Sequence, residues 1–236
     1  MSSILKKIVM ACTGLGLFGF LVAHLAGNLQ LVSESKFNHY AEMLESNPLL
    51  IPAEIGLFAI FAVHVFLAIK LTMENKAARS QTYEVDDNQS TFASRFMWPT
   101  GLVIFFFLVF HIWMFKFSAD KDKIGLWNVV VREFKQPQVT GFYIFCMLFL
   151  GLHISHGISS AIHSLGICRT GGRETAHKIG SILGWTIAIG FALLPLGTFL
   201  IGPAPTKSVI VDVKAKDGVP PQEIKLAPPG TAETHK

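Results

Sequence analysis

Residues Ile8 to Val32 read IVMACTGLGLFGFLVAHLAGNLQLV, a run without a single Asp, Glu, Lys or Arg. An α-helix rises about 1.5 Å per residue, so about 20 apolar residues cross the roughly 30 Å hydrocarbon core of a bilayer. The run is long enough to span. Lys6 and Lys7 precede it, but it is too long for the apolar region of a cleavable signal and reads as a first membrane helix. Gly14, Gly16 and Gly19 match G-x-G-x-x-G. A dinucleotide site needs that pattern between a strand and a helix. Within a membrane helix, small residues instead let a neighbouring helix or a flat group approach closely.

Four further runs have the same character: Ile51 to Met73, Trp98 to Phe117, Val139 to Ile162 and Ile179 to Ile201. None alternates polar and apolar residues as a barrel strand would. The composition agrees, with 51% hydrophobic residues, 15% charged and a mean hydropathy of +0.47. A soluble domain carries about 25% charged residues. The expectation is an all-α membrane protein with five transmembrane helices over residues 1–202, followed by a polar, Pro-rich tail over residues 203–236.

The net charge of +4 forms no basic stripe, which argues against nucleic acid as a partner. The Lys and Arg residues flank the spans instead. Lys6, Lys7, Lys70, Lys76, Arg79, Arg95, Arg169, Arg173 and Lys178 fall on one side of a five-span chain. The other side has an acidic first loop together with Lys121, Lys123, Arg132 and Lys135. The positive-inside rule then puts the N-terminus inside and the C-terminus outside. Between the spans, Ser33 to Pro48 suits a short amphipathic helix. Ser118 to Pro137 reads as a polar connector with Trp127 as an interfacial residue. Cys12, Cys146 and Cys168 form no C-x-x-C, so the chain alone ligates no iron–sulfur cluster.

Nine histidines occur, and His24, His64, His111, His153 and His156 lie within spans. An ionisable side chain at membrane depth points to function. His24 and His111 lie about 10 Å and 9 Å below the ends of the first and third spans. His64 and His153 lie about 19 Å and 21 Å below the starts of the second and fourth, measured from the same side. Four helices thus carry two histidine pairs at two depths, the arrangement for two bis-histidine haems in a four-helix bundle. No C-x-x-C-H occurs, so such haems are held non-covalently. His156 points about 60° away from His153 around the helix and suits a hydrogen bond to a propionate or backbone instead. The fifth span has no interior histidine and is expected to pack outside these four. A zinc enzyme would want a local motif such as H-E-x-x-H, and His153-Ile-Ser-His156 has no acid beside it.

These residues resemble a known family over about residues 6 to 202. The strings are Leu21-Val-Ala-His24-Leu-Ala-Gly-Asn28, Phe37-Asn-His-Tyr-Ala41 to Pro48, Ala62-Val-His64-Val, Phe110-His111-Ile-Trp113, and Leu152-His153-Ile-Ser-His-Gly157 followed by Ser159-Ser160-Ala161. They resemble the di-haem cytochrome b membrane anchor of succinate:quinone oxidoreductases, the five-helix b558-type subunit of succinate dehydrogenases and fumarate reductases. The resemblance implies a distal haem b on His24 and His111, and a proximal haem b on His64 and His153. It implies a quinone, menaquinone or another, near Asn28, His39 and Glu45. It implies an iron–sulfur subunit and a flavoprotein subunit as partners in a bacterial cytoplasmic membrane. The dicarboxylate would be handled by the flavoprotein and not by this chain. Some members carry a glutamate just before the fourth ligand as a proton carrier; here that neighbourhood is Phe149-Leu150-Gly151-Leu152. A di-haem subunit of a hydrogenase or formate dehydrogenase, and a non-redox membrane anchor, are the alternatives.

Overall fold

The computed structural model describes residues 2–77, 96–167 and 172–202. The tail over 203–236, Cys168, and Arg79, Arg95 and Arg169 of the charge pattern lie outside the described residues. No strand occurs among the described residues. The helices are α1 (Ser3–Asn28), α2 (Glu34–Glu45), α3 (Leu50–Ala77), α4 (Met97–Phe115), α5 (Lys121–Ile124), α6 (Leu126–Phe134), α7 (Pro137–Ser164) and α8 (Arg173–Ile201). A 3₁₀ turn over Leu29–Val32 extends α1. The five long helices are long and apolar enough to cross a membrane.

Local chemistry sets the helix ends. The Ser2 hydroxyl accepts from the Leu5 amide at 3.2 Å and caps α1. Pro137 opens α7, where its missing N–H costs nothing. Within the spans, hydroxyls return their protons to their own helix. Thr13 donates to Val9 O at 2.9 Å, Thr72 to Ala68 O at 2.7 Å and Ser155 to Gly151 O at 2.6 Å. A polar group that caps itself this way can sit in lipid or among apolar side chains. Large apolar side chains point outward, Phe58 71% and Trp113 66% exposed. Bilayer is the solvent that suits such a surface.

α7 is the central element. It packs along α8 most extensively, and also against α1 and α4, while α3 leans on α1. The α7–α8 contact depends on Gly180 and Gly184, a small-xxx-small pair. A Cβ at position 180 would lie 2.3 Å from Ser155 O, and one at 184 would lie 2.5 Å from Ser155 Oγ. Only glycine permits that approach. The fifth span therefore packs beside the other four, as its lack of an interior histidine suggested.

One end of the bundle carries a cap. The amphipathic helix expected between Ser33 and Pro48 is α2, and it lies against α6. The Ser118 to Pro137 segment is more than a polar connector. It forms α5 and α6, and Trp127 is buried at 5% exposure against the protein. Its indole N–H donates to Leu31 O at 2.9 Å, and its backbone N–H to Asn38 Oδ1 at 3.2 Å. With Leu31, Phe37, Val130, Val131, Phe134 and Tyr143 it makes one apolar cluster. Ion pairs Lys121–Glu45 and Lys116–Glu54 tie the rim. Arg132 holds Asp120 at 2.7 Å; that hydrogen bond, with the guanidinium charge, keeps the Asp120 carboxyl below its usual range. Lys135 reaches Phe199 O at 3.2 Å and Gly202 O at 2.5 Å, closing the negative end of the α8 dipole. At the open end, Lys6 pairs with Glu74 and joins α1 to α3.

Candidate functional site

Each long helix of the first four brings one histidine inward, and the structure brings these together as the depths suggested. His24 of α1 faces His111 of α4, with ring centres 5.9 Å apart and planes at 90°. His64 of α3 faces His153 of α7, with centres 6.4 Å apart and planes at 67°. Neither pair joins helices that pack closely along each other; each reaches across the bundle. Metal–imidazole bonds run about 2 Å, so two imidazoles that share one metal from opposite sides would have ring centres roughly 6 Å apart.

Hydrogen bonds decide which ring nitrogen is free. Thr13 Oγ1 lies 3.3 Å from His64 Nδ1, and Thr100 Oγ1 lies 3.3 Å from His153 Nδ1. A hydroxyl has one proton. Thr13 gives its proton to a backbone carbonyl, and Thr100 donates to Met97 O at 3.0 Å. With its proton on the helix, each hydroxyl is placed to accept from the imidazole, and an Nδ1–H tautomer there leaves the Nε2 lone pair free. His111 follows the same pattern. Its Nδ1 lies 3.2 Å from the Tyr143 hydroxyl, which in turn donates to Met114 Sδ at 3.8 Å. His24 differs. Its neighbour Asn28 offers a two-proton donor, Nδ2, which donates to His24 O at 2.8 Å and lies 3.4 Å from both ring nitrogens.

Aromatic rings enclose the pair nearer the cap. Phe20 stacks on His24 at 5.3 Å, with Phe191 of α8 at 5.7 Å. Phe107 and Phe115 flank His111 at 5.7 Å and 5.4 Å. The second pair rests on glycines: a Cβ at position 14 would lie 3.2 Å from His64 Cε1, and one at 101 would lie 3.4 Å from His153 Cε1. Among the described residues no group of three or more His, Cys, Asp or Glu is placed to hold a metal ion. Two ligands are too few for a bare structural ion, which wants about four. They would suffice for a metal that arrives with its other ligands already attached, as in a haem.

The other expected site residues are more scattered. Asn28 is beside His24. Glu45 ends α2 and is engaged by Lys121. His39 is exposed on α2. It is the adjacent Tyr40 that reaches α1, its hydroxyl 2.6 Å from where a Cβ on Gly27 would stand. His156 has a buried Nδ1 with no hydrogen-bond partner among the described residues, which leaves that nitrogen available to a partner outside them. His163 and His177 face each other at 6.3 Å toward the open end. Gly151, where an acid before the fourth ligand would fall nearby, is packed against Trp185 and Ala188.

The fold and the site together define an all-α membrane protein of five spans, with two histidine pairs meeting across its bundle. Among proteins of known role, the chain is similar to the succinate dehydrogenase cytochrome b558 subunit of Bacillus subtilis. The two are 27% identical over 157 residues, which cover 64% of this chain and 74% of that protein. No family model matches the chain, and no solved structure matches it.

Proposed function

We propose that this chain is the membrane-anchor cytochrome b subunit of a succinate:quinone oxidoreductase. The observation that carries the reading is the cross-bundle geometry: two imidazole pairs on four helices, with ring centres 5.9 and 6.4 Å apart. Similarity to a succinate dehydrogenase subunit supports the choice of complex.

In this reading His24 and His111 hold one haem b near the cap, and His64 and His153 hold a second toward the open end. The bound haems would supply one-electron carriage between an iron–sulfur centre and a quinone. The chain's own residues do the rest. The imidazoles donate through Nε2, and Phe20, Phe107, Phe115 and Phe191 keep water from the first pair. The open end docks the iron–sulfur subunit, which carries the flavoprotein subunit. A quinone, menaquinone by resemblance, sits at the cap end beside Asn28, with His39 and Glu45 as further contacts. The chain lies in a bacterial cytoplasmic membrane.

The test is a pyridine haemochrome assay with haem-to-chain stoichiometry on the detergent-purified complex, repeated for His→Ala at 24, 64, 111 and 153. Two b haems per chain are expected, with one lost in each variant. An intact complex without haem would overturn the electron-transfer role and leave a helical anchor.

A further inference from the structure

Thr13 stands eleven residues before His24 and Thr100 eleven before His111, each followed at once by a glycine, Gly14 and Gly101. The pattern T-G-x₉-H thus occurs on α1 and again on α4. Eleven residues make about three helical turns and return to within about 20° of the same face, roughly 16 Å along the axis. Each helix therefore shows two things on one inward face: its own histidine at one level, and a threonine–glycine step at the other. The contacts use both. The Thr13 hydroxyl and Gly14 meet His64, and the Thr100 hydroxyl and Gly101 meet His153. Thr-Gly alone does not do this. Thr140-Gly141 has Gly151 eleven positions on, and the Thr140 hydroxyl is spent on Phe134 O at 2.7 Å.

We infer that Thr13-Gly14 and Thr100-Gly101 are matched seats that position His64 and His153 and set how strongly both imidazoles donate through Nε2. The inference rests on the haem reading above. Glycine lets the Cε1–Nδ1 edge of the ring come close to the neighbouring helix. Threonine, its own proton directed to the helix, is placed to accept, and a hydrogen bond accepted from Nδ1–H makes the imidazole a more basic ligand. A more basic axial pair favours the ferric state and lowers the potential of that haem alone. The pair at His24 and His111 lacks this symmetry, because His24 meets the Asn28 donor where the other three histidines meet a hydroxyl. Thr13 and Thr100 are positioning residues, acting through the histidines they hold.

The experiment uses the purified complex. Redox titration and low-temperature EPR of the ferric haems are recorded for Thr13→Val, Thr100→Val and the serine substitutions at both positions, each with its haem content. The valine variants are expected to shift the ferric-to-ferrous ratio of one haem about tenfold, raising its midpoint by about 59 mV. The second haem should be unmoved. Serine should restore the wild-type value. Gly14→Ala and Gly101→Ala should move the EPR signal of the same haem. Wild-type potentials in both valine variants, at full haem content, would overturn the inference, as would serine shifting the potential as far as valine does. If valine costs the haem itself, serine with normal content and potential upholds the seat, and serine that also loses it overturns the hydroxyl's role. Absence of haem from the unmutated complex would instead strike the proposed function.

Discussion

Tyr143 joins the cap to the bundle through one hydroxyl. Its ring packs on Phe107 and Phe134, each at 5.0 Å, and its oxygen lies 3.2 Å from His111 Nδ1. Tyr143→Phe keeps the ring and leaves the imidazole N–H unpaired in an apolar setting, at a cost of about 1–3 kcal/mol. The melting temperature of the detergent-solubilised protein, followed by circular dichroism, should fall accordingly. An unchanged melting temperature would mean that the His111 proton has another acceptor. Residues of this kind show how legibility divides at the residue scale. The four inward histidines could be paired from sequence because helical rise is fixed, so position in a span converts to depth. Their partners Thr13, Thr100 and Tyr143 could not. Which hydroxyl meets which ring depends on the rotation of each helix about its axis, and that is set by packing against neighbours. The repeated T-G-x₉-H spacing was the available signal, and it acquires meaning only once Thr13 is seen against His64 and Thr100 against His153.

At the scale of elements, the five spans were plain because an uninterrupted apolar run has few alternatives. The helices extend past the apolar limits: α3 runs on to Ala77 and α8 begins at Arg173. Hydrogen bonding continues into the interface, where hydropathy has already fallen. The cap was harder to see. Charges at Lys121, Asp122, Lys123 and Arg132 make residues 118–137 look like a solvated connector. Yet Leu126, Trp127, Val130, Val131 and Phe134 recur at helical spacing and bury one face against α2 and α7. Trp127 is the anchor of that face. Trp127→Ala deletes a buried aromatic ring and its bond to Leu31 O, and should cost about 3–5 kcal/mol. Limited proteolysis should then cut within residues 118–136 while the five long helices stay intact. Resistance equal to the parent chain would show that α2 and α6 hold the cap without it.

At the scale of the whole molecule, an odd number of spans puts the two termini on opposite sides of the membrane, so one charge pattern orients everything. The open end carries Lys6, Lys7, Lys70, Lys76, Arg173 and Lys178 among the described residues, and Arg79, Arg95 and Arg169 belong to the same loops. The cap end has Lys36, Lys116, Lys121, Lys123, Arg132 and Lys135. Both ends commit cations to the fold, Lys6 and Lys178 at the open end in ion pairs with Glu74 and Glu174. Lys116, Lys121 and Arg132 are in ion pairs, and Lys135 closes the end of α8. The longer loop-borne set at the open end is the one that resists translocation. The open end should therefore face the cytoplasm, where an iron–sulfur partner would dock, with the cap and the proposed quinone contacts outside. Paired reporter fusions decide this: alkaline phosphatase joined after Gly202 should be active, and the same enzyme joined after Ala77 should be inactive. The reverse pattern would put the docking face outside and remove the proposed route from a cytoplasmic partner to the His64–His153 pair. Activity at both junctions would mean that one of the five helices does not span, which would also break the depth relation that sets the two histidine pairs at different levels.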